Sequence, residues 1–300
     1  MALAVLRTPA SRFADLPGWP YRPHYLEHGG VRMAYADEGP RDAAETVLAL
    51  HGEPTWGYLY REFVPVLARE HRFLAPDMIG FGRSDKLPRV GDHSFRLHLR
   101  WYERFLDALA LDGVTLVVQD WGGLLGLSLL ARRPERFRRV VILNTDLPVG
   151  RPLPAGFRAW QAFARWCPGV WPSALVHFAT ARPLSRGVAA AYDAPFPDAR
   201  YLAGPRALPR LVPGSPDAEG VPELRDAREV LSRWTRPALV LWAAGDPVLG
   251  HRHRFFAELI PSIRDEPRHV IAHASHFLQE DAGAEIAERI GSFLSGSVAA

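Results

Sequence analysis

An α/β fold with a mainly parallel sheet and one inserted helical segment is predicted by three features of this 300-residue chain. Short apolar runs alternate with amphipathic stretches, the rhythm expected when helices cross between parallel strands. One such run, Val114–Val118, passes directly into Gln119-Asp120-Trp121-Gly122-Gly123 and then a helical pattern. The rhythm breaks between Leu147 and about Pro222, where prolines and aromatics crowd together.

The runs Thr46–Leu50, Arg72–Ala75, Val114–Val118, Val140–Leu143, Ala238–Trp242 and His269–Ala272 read as strands. Glu62–Glu70, Phe95–Ala110, Gly123–Arg133, Glu223–Trp234, His251–Ile260 and Glu285–Leu294 carry the helical period between them. Val31–Ala36 reads as an earlier antiparallel edge strand, ended by the turn signal Gly39-Pro40. These elements assign residues 1–147 and 223–300 to a main domain and residues 148–222 to a helical cap inserted between its strands. The insertion's aromatics, among them Phe157, Trp160, Phe163, Trp166, Trp171 and Tyr192, need apolar surface to bury against. A cap over the C-terminal ends of the strands supplies it, and open α/β sheets bind ligands at that edge.

Composition narrows the function classes. Hydrophobic residues at 48% and charged residues at 23% suit a globular chain with a sizeable core. A net charge of +3 without a run of five or six like charges gives no support for nucleic-acid or membrane-surface binding. The single cysteine, Cys167, excludes an intrachain disulfide, fits a reducing cytoplasm, and reads as a small helical residue rather than a reactive thiol. Residues 1–20 lack the apolar core of a signal peptide, and no stretch reaches the ~20 apolar residues of a membrane span. A soluble cytoplasmic protein, monomeric and without metal or organic cofactor, is expected. Gly80-Phe81-Gly82 lacks the rest of a dinucleotide fingerprint and reads as a tight turn.

The chemistry begins at Asp120. A strand stopped by a polar residue, then glycines, then a helix, is the strand–turn–helix of a nucleophile elbow, usually occupied by serine. A carboxylate there is poorly matched to acyl transfer, but it can attack a saturated carbon bearing a leaving group and form an alkyl ester on the protein. Such an ester needs a base to activate water and an acid to orient that base. His276 in Ala274-Ser275-His276-Phe277 and Asp246 in Gly245-Asp246-Pro247 each follow a predicted strand, so both fall at the sheet edge that carries Asp120. Their chain order, Asp120, Asp246, His276, is the nucleophile–acid–base order of the α/β-hydrolase fold. His273 competes with His276 but lies nearer the strand end. Backbone N–H groups of Glu53, in Leu50-His51-Gly52-Glu53-Pro54-Thr55-Trp56, and of Trp121 are the expected oxyanion donors. A departing anion needs donors in an apolar setting, and an indole N–H offers one without any acceptor. Trp121 is one such group, with Trp160 preferred over Trp166 and Trp171 as its partner.

These residues carry a resemblance. His51-Gly-Glu-Pro-Thr-Trp56, Val118-Gln-Asp-Trp-Gly-Gly123, the Asp246 loop and His276-Phe-Leu-Gln-Glu280 look like the haloalkane dehalogenases, in the branch that pairs an Asp-His-Asp triad with two halide-binding tryptophans. The similarity runs from about Pro23 to the C-terminus and includes Tyr192-Asp-Ala-Pro-Phe-Pro-Asp198. It implies Asp120 as nucleophile, His276 as base, Asp246 as acid, Trp121 and Trp160 as halide donors, and Phe157 and Phe81 lining an apolar pocket. Glu53 stands where another branch places a halide-binding Asn, which supports Trp160 as the second donor. The implied substrates are a small apolar haloalkane and water, with halide as a product. The chain departs from the family around Arg151–Pro154 and Val212–Pro222, which bears on pocket size.

Three other readings fit parts of the pattern. An epoxide hydrolase shares the Asp nucleophile but must protonate an alkoxide, for which Tyr192 and Tyr201 are candidates. A fluoroacetate-type dehalogenase would use Arg158 and Arg182 to hold a carboxylate. A non-catalytic binding protein of the same fold would have no need of Asp120, Asp246 and His276 together.

Overall fold

Eight strands form one sheet in the computed structural model, which describes residues 4–166, 171–247, 249–263 and 270–296 and, within these, not the side chains of residues 156, 160 and 163–166. They are β1 (His24–His28), β2 (Val31–Glu38), β3 (Thr46–Leu50), β4 (Arg72–Pro76), β5 (Val114–Val118), β6 (Phe137–Leu143), β7 (Ala238–Ala243) and β8 (Val270–Ile271). Their order is β1-β2-β4-β3-β5-β6-β7-β8. β1–β2 and β2–β4 pair antiparallel; the remaining neighbours are parallel. Every residue of β5 is buried, which is why it reads as an unbroken apolar run rather than an alternating one.

The helices are α1 (Val64–Leu67), α2 (Phe95–Ala108), α3 (Trp121–Arg132), α4 (Ala155–Trp166), α5 (Pro172–Phe178), α6 (Arg186–Asp193), α7 (Ala203–Leu211), α8 (Val221–Ser232), α9 (His253–Leu259) and α10 (Leu278–Leu294). α2 starts where the Ser94 hydroxyl accepts the Leu97 N–H, the local reason for its boundary. Its buried face, Phe95, Leu99, Tyr102, Phe105 and Leu106, follows the helical period, and each such side chain contributes roughly 1.5–3 kcal/mol by leaving water. α3 packs between α2 and α8, and α1 packs against α10. α4 to α7 fall between β6 and β7; α5 packs on α6, α4 on α7, and α7 on the turn at Val90–Asp92.

Some expectations are corrected. Val31–Ala36 is a strand and antiparallel, but β1 lies outside it, so β2 is not the edge. β1 escapes a sequence reading because most of His24–His28 faces solvent and carries no apolar alternation. α10 begins at Leu278 rather than Glu285, with non-helical dihedrals at Ala282 (φ −142°, ψ 31°) interrupting the period. α1 is only four residues long within the predicted Glu62–Glu70. Cys167 and His269 lie outside the described residues.

Candidate active site

Asp120 ends the run from β5 and caps α3 with φ at +49°, a region where side chains other than glycine are strained. The surroundings hold it there. Its N–H donates to the Asn144 carbonyl at 2.9 Å, and its own carbonyl accepts from Thr145 Oγ1 at 2.7 Å. The glycines after it permit close approach: a Cβ on Gly122 would lie 2.0 Å from the Leu50 carbonyl oxygen, and one on Gly123 2.0 Å from Thr145 Oγ1.

His276 lies on the loop between β8 and α10. Its Nδ1 is 2.7 Å from Asp246 Oδ2, and its Nε2 is 3.6 Å from Asp120 Oδ2. Asp246, on the loop after β7, is 5% exposed, too dry to hold charge without partners. Those partners are His276, Asn144 Nδ2 at 2.8 Å and the Leu249 N–H at 2.9 Å. Burial favours its neutral acid, but the imidazole and these donors outweigh burial and hold the carboxyl below the usual range. Burial likewise opposes the His276 cation, yet Asp246 and Asp120 together push it up to about 10. Gln119 Nε2 adds a contact of 3.2 Å to the His276 carbonyl and lies 3.2 Å from its Nε2. His273, the competitor, is half-exposed and pairs with Glu285.

The loop after β3 faces Asp120 from the other side. The Glu53 N–H donates to Asp120 Oδ1 at 2.8 Å. Its side chain is buried, and burial followed by the Asp120 charge raises its carboxyl well above the ordinary range, favouring the neutral form. His51 braces this loop: its Nε2 accepts the Met78 N–H at 2.9 Å, which leaves Nδ1 to donate to the Gly52 carbonyl at 2.9 Å. Burial drives its pKa down to about 4, so this neutral tautomer persists at physiological pH. The first N–H of α3, that of Trp121, has no acceptor within its own helix.

Trp121 is 3% exposed, its ring 6.1 Å from Phe95. Phe81 is fully buried beside His51, and Phe157 is partly buried on α4. Trp160 lies on α4, but its side chain, like that of Trp166, is outside those described; Trp171 caps α5 and is 37% exposed. Tyr192 is fully buried, and its hydroxyl is held by Glu280. Asn144, Gln119 and His51 are positioning groups; His51 and Gln119 lie within the motifs His51–Trp56 and Val118–Gly123, whereas Asn144 carries no sequence signal of its own. Asn144 reaches Asp246 across more than a hundred residues of chain.

Strand order, elbow and loop-borne histidine are those of an α/β hydrolase. The family model described as the alpha/beta hydrolase fold matches residues 45–283. The chain is 48% identical to a haloalkane dehalogenase of Mycolicibacterium paratuberculosis over 95% of its own length and 97% of the relative's. It is 44% identical to one from Psychrobacter cryohalolentis over 97% and 98% of the two chains. The tetrameric haloalkane dehalogenase DpaA from Paraglaciecola agarilytica NO2 superposes with a TM-score of 0.90 at 36% identity, covering 95% of this chain and 97% of that one. Within the hydrolase class, this chain therefore belongs to the haloalkane dehalogenase family and is a hydrolase acting on carbon–halogen bonds.

Proposed function

We propose that this dehalogenation runs through an alkyl ester on Asp120. The observation that carries the reading is the unequal setting of the two Asp120 oxygens: Oδ1 already accepts the Glu53 N–H, whereas among the described residues Oδ2 meets only a 3.6 Å approach from His276. Oδ2 is thus the free nucleophile, and its lone pair attacks carbon as the C–X bond breaks and halide leaves with the bonding electrons. The indole N–H groups of Trp121 and Trp160 receive the halide. Water then attacks Asp120 Cγ while His276 Nε2 takes its proton. Charge develops on Oδ1, where the Glu53 and Trp121 N–H groups stabilise it. Collapse of that intermediate breaks the Cγ–O bond to the alkyl group and releases alcohol, which takes the proton back from His276. The remaining water proton leaves Asp120 to solvent, so one H+ is released with each halide and the carboxylate is restored. Asp246 keeps the imidazole oriented and stabilises its cation. Residues 148–222 form the cap, and Phe157 and Phe81 line the pocket.

The epoxide reading loses support because Tyr192, one of its two proton donors, is committed to Glu280. The fluoroacetate reading loses support because Arg158 and Arg182 are exposed. Among the described residues the exposed large hydrophobics are Tyr25, Trp171 and Phe178, too few for the apolar centre of an obligate interface. We therefore infer a monomer, which sedimentation equilibrium checks. No described helix is long and apolar enough to cross a membrane; a cytoplasmic location is the reading that the single cysteine supports.

The test is to incubate the protein with 1-bromobutane and, separately, styrene oxide, and to follow bromide and diol. Bromide release is expected from the wild type and none above background from Asp120→Ala. His276→Phe should release one bromide per active site and retain a butyl adduct on Asp120 by mass spectrometry. Sustained turnover without an adduct in that variant would refute the order of steps.

A further inference from the structure

The His276 loop is tied on both sides to one turn of the inserted segment. After it, the Phe277 N–H donates to the Ala179 carbonyl at 3.2 Å, at the end of α5. Before it, the Ser275 N–H donates to Asp281 Oδ2 at 2.9 Å. The same carboxylate accepts the Ala181 N–H at 3.0 and 2.9 Å and the Arg182 N–H at 3.0 Å. Asp281 is 4% exposed, in the first turn of α10, where negative charge is favoured. A buried carboxylate with three backbone donors, one beside His276 and two on the α5–α6 connection, joins those segments as a single unit. Hydrogen bonds to a charged acceptor are the stronger kind, and a neutral amide does not replace them.

We propose that Asp281 is a positioning residue that couples the seating of the α5–α6 turn to the alignment of His276. This rests on the dehalogenase reading above and extends it. When the turn is seated, the carboxylate fixes Ser275 and aims the imidazole at the water that attacks Asp120. When the turn lifts, as entry or exit beneath a cap requires, the base loses its aim. Formation of the ester needs no proton transfer, so only its hydrolysis depends on Asp281.

Asp281→Asn presents an N–H₂ group to donors that need an acceptor. With 1-bromobutane, kcat should fall at least tenfold while kcat/KM, which reports steps through ester formation, changes less than threefold. Rapid quench should show a bromide burst approaching one per site, with the butyl ester accumulating on Asp120. A variant that merely loosens the fold would lower kcat and kcat/KM together without an adduct, and that result overturns the proposal. Should Asp281→Asn not fold, Arg182→Pro decides the matter: it deletes one donor on an exposed turn and should shift kcat in the same direction by a smaller factor, whereas an unchanged kcat overturns the coupling. Absence of bromide from the wild type would instead overturn the underlying dehalogenase reading, a failure separable from either of these.

Discussion

His276 stands between two carboxylates whose contributions separate in time. Asp246 is buried and fixed by Asn144, whereas Asp120, on the proposed route, loses its charge on becoming an ester. In the free protein burial disfavours the imidazolium, but both carboxylates together push its pKa to about 10. On that route, esterification would remove the Asp120 contribution and lower the imidazole pKa when a neutral base is required. The sign of the pH dependence follows. Below the ester form's pKa, the neutral imidazole fraction drops about tenfold per pH unit, and hydrolysis drops with it. Ester formation, as proposed, needs no proton transfer to His276 and should not share that dependence. Rapid-quench bromide bursts measured beside steady-state rates from mildly acidic to mildly basic pH separate the two steps. A parallel acid-side loss in both would mean that His276 also serves the displacement. At this scale the sequence marked Asp120, Asp246 and His276 by residue type after a strand, and the fold brings the three side chains together. It was silent on Asn144 and Asp281, whose roles depend on which distant backbone or side-chain groups the fold brings to them.

The elbow shows how an element constrains its residues. The break from buried strand to glycines makes Asp120-Trp121-Gly122-Gly123 legible, because few other local structures need that succession. What the spacing leaves out is the reason for each glycine. At Gly122 the obstacle is the Leu50 carbonyl oxygen, 2.0 Å from any Cβ, and the His51 carbonyl lies 2.8 Å away. These are backbone atoms of the strand end and loop that carry the Glu53 donor, so they cannot move aside without displacing it. Gly122→Ala should therefore cost about 1–3 kcal/mol or more, measured as a lower urea midpoint, and lower kcat as well. Gly291 in α10 is the contrast, because a Cβ there would meet only Leu67 Cδ2 at 3.8 Å. Gly291→Ala should be stabilising by about 0.5–1 kcal/mol through reduced chain entropy. Equal effects at both positions would show that helix propensity, not crowding at the elbow, governs. The start of α10 escaped the sequence reading for a related reason. Gln279, Glu280 and Asp281 look like polar loop residues, yet they are buried or nearly so, and Glu280 and Asp281 are satisfied by tertiary partners.

Across the whole molecule, one buried charged cluster lies where the inserted segment meets the strand-end loops. Arg61, on the turn after the Glu53 loop, clasps Glu280 with both terminal nitrogens, and the Tyr192 hydroxyl from α6 donates to the same carboxylate. The side chains of Arg61 and Glu280 are 9% and 4% exposed, and the guanidinium also lies 4.6 Å over the Tyr58 ring. Burial disfavours the Arg61 cation, but Glu280 and the tyrosines outweigh it, so it stays charged at any physiological pH. The sequence placed Tyr192 in a family-like segment and left Arg61 and Glu280 without a role, because a buried pair separated by 219 positions leaves no local pattern. Desolvation decides the magnitude. Deleting one partner of a buried pair strands the other charge, at a cost of about 3–5 kcal/mol, while an exposed pair is worth about 0–1 kcal/mol. Arg233–Glu229, at 3.0 Å on the surface of α8, is the natural control, with side chains 77% and 62% exposed. Arg61→Ala should lower the unfolding free energy by about 3–5 kcal/mol and Arg233→Ala by less than about 1 kcal/mol, both read from urea denaturation at neutral pH. Raising the salt concentration should erase what remains of the Arg233 effect and leave that of Arg61 largely intact, since ions screen exposed charges and scarcely reach buried ones. A small, salt-sensitive loss for Arg61→Ala would mean that water enters the junction freely and that the inserted segment rests on the sheet edge without being locked to it.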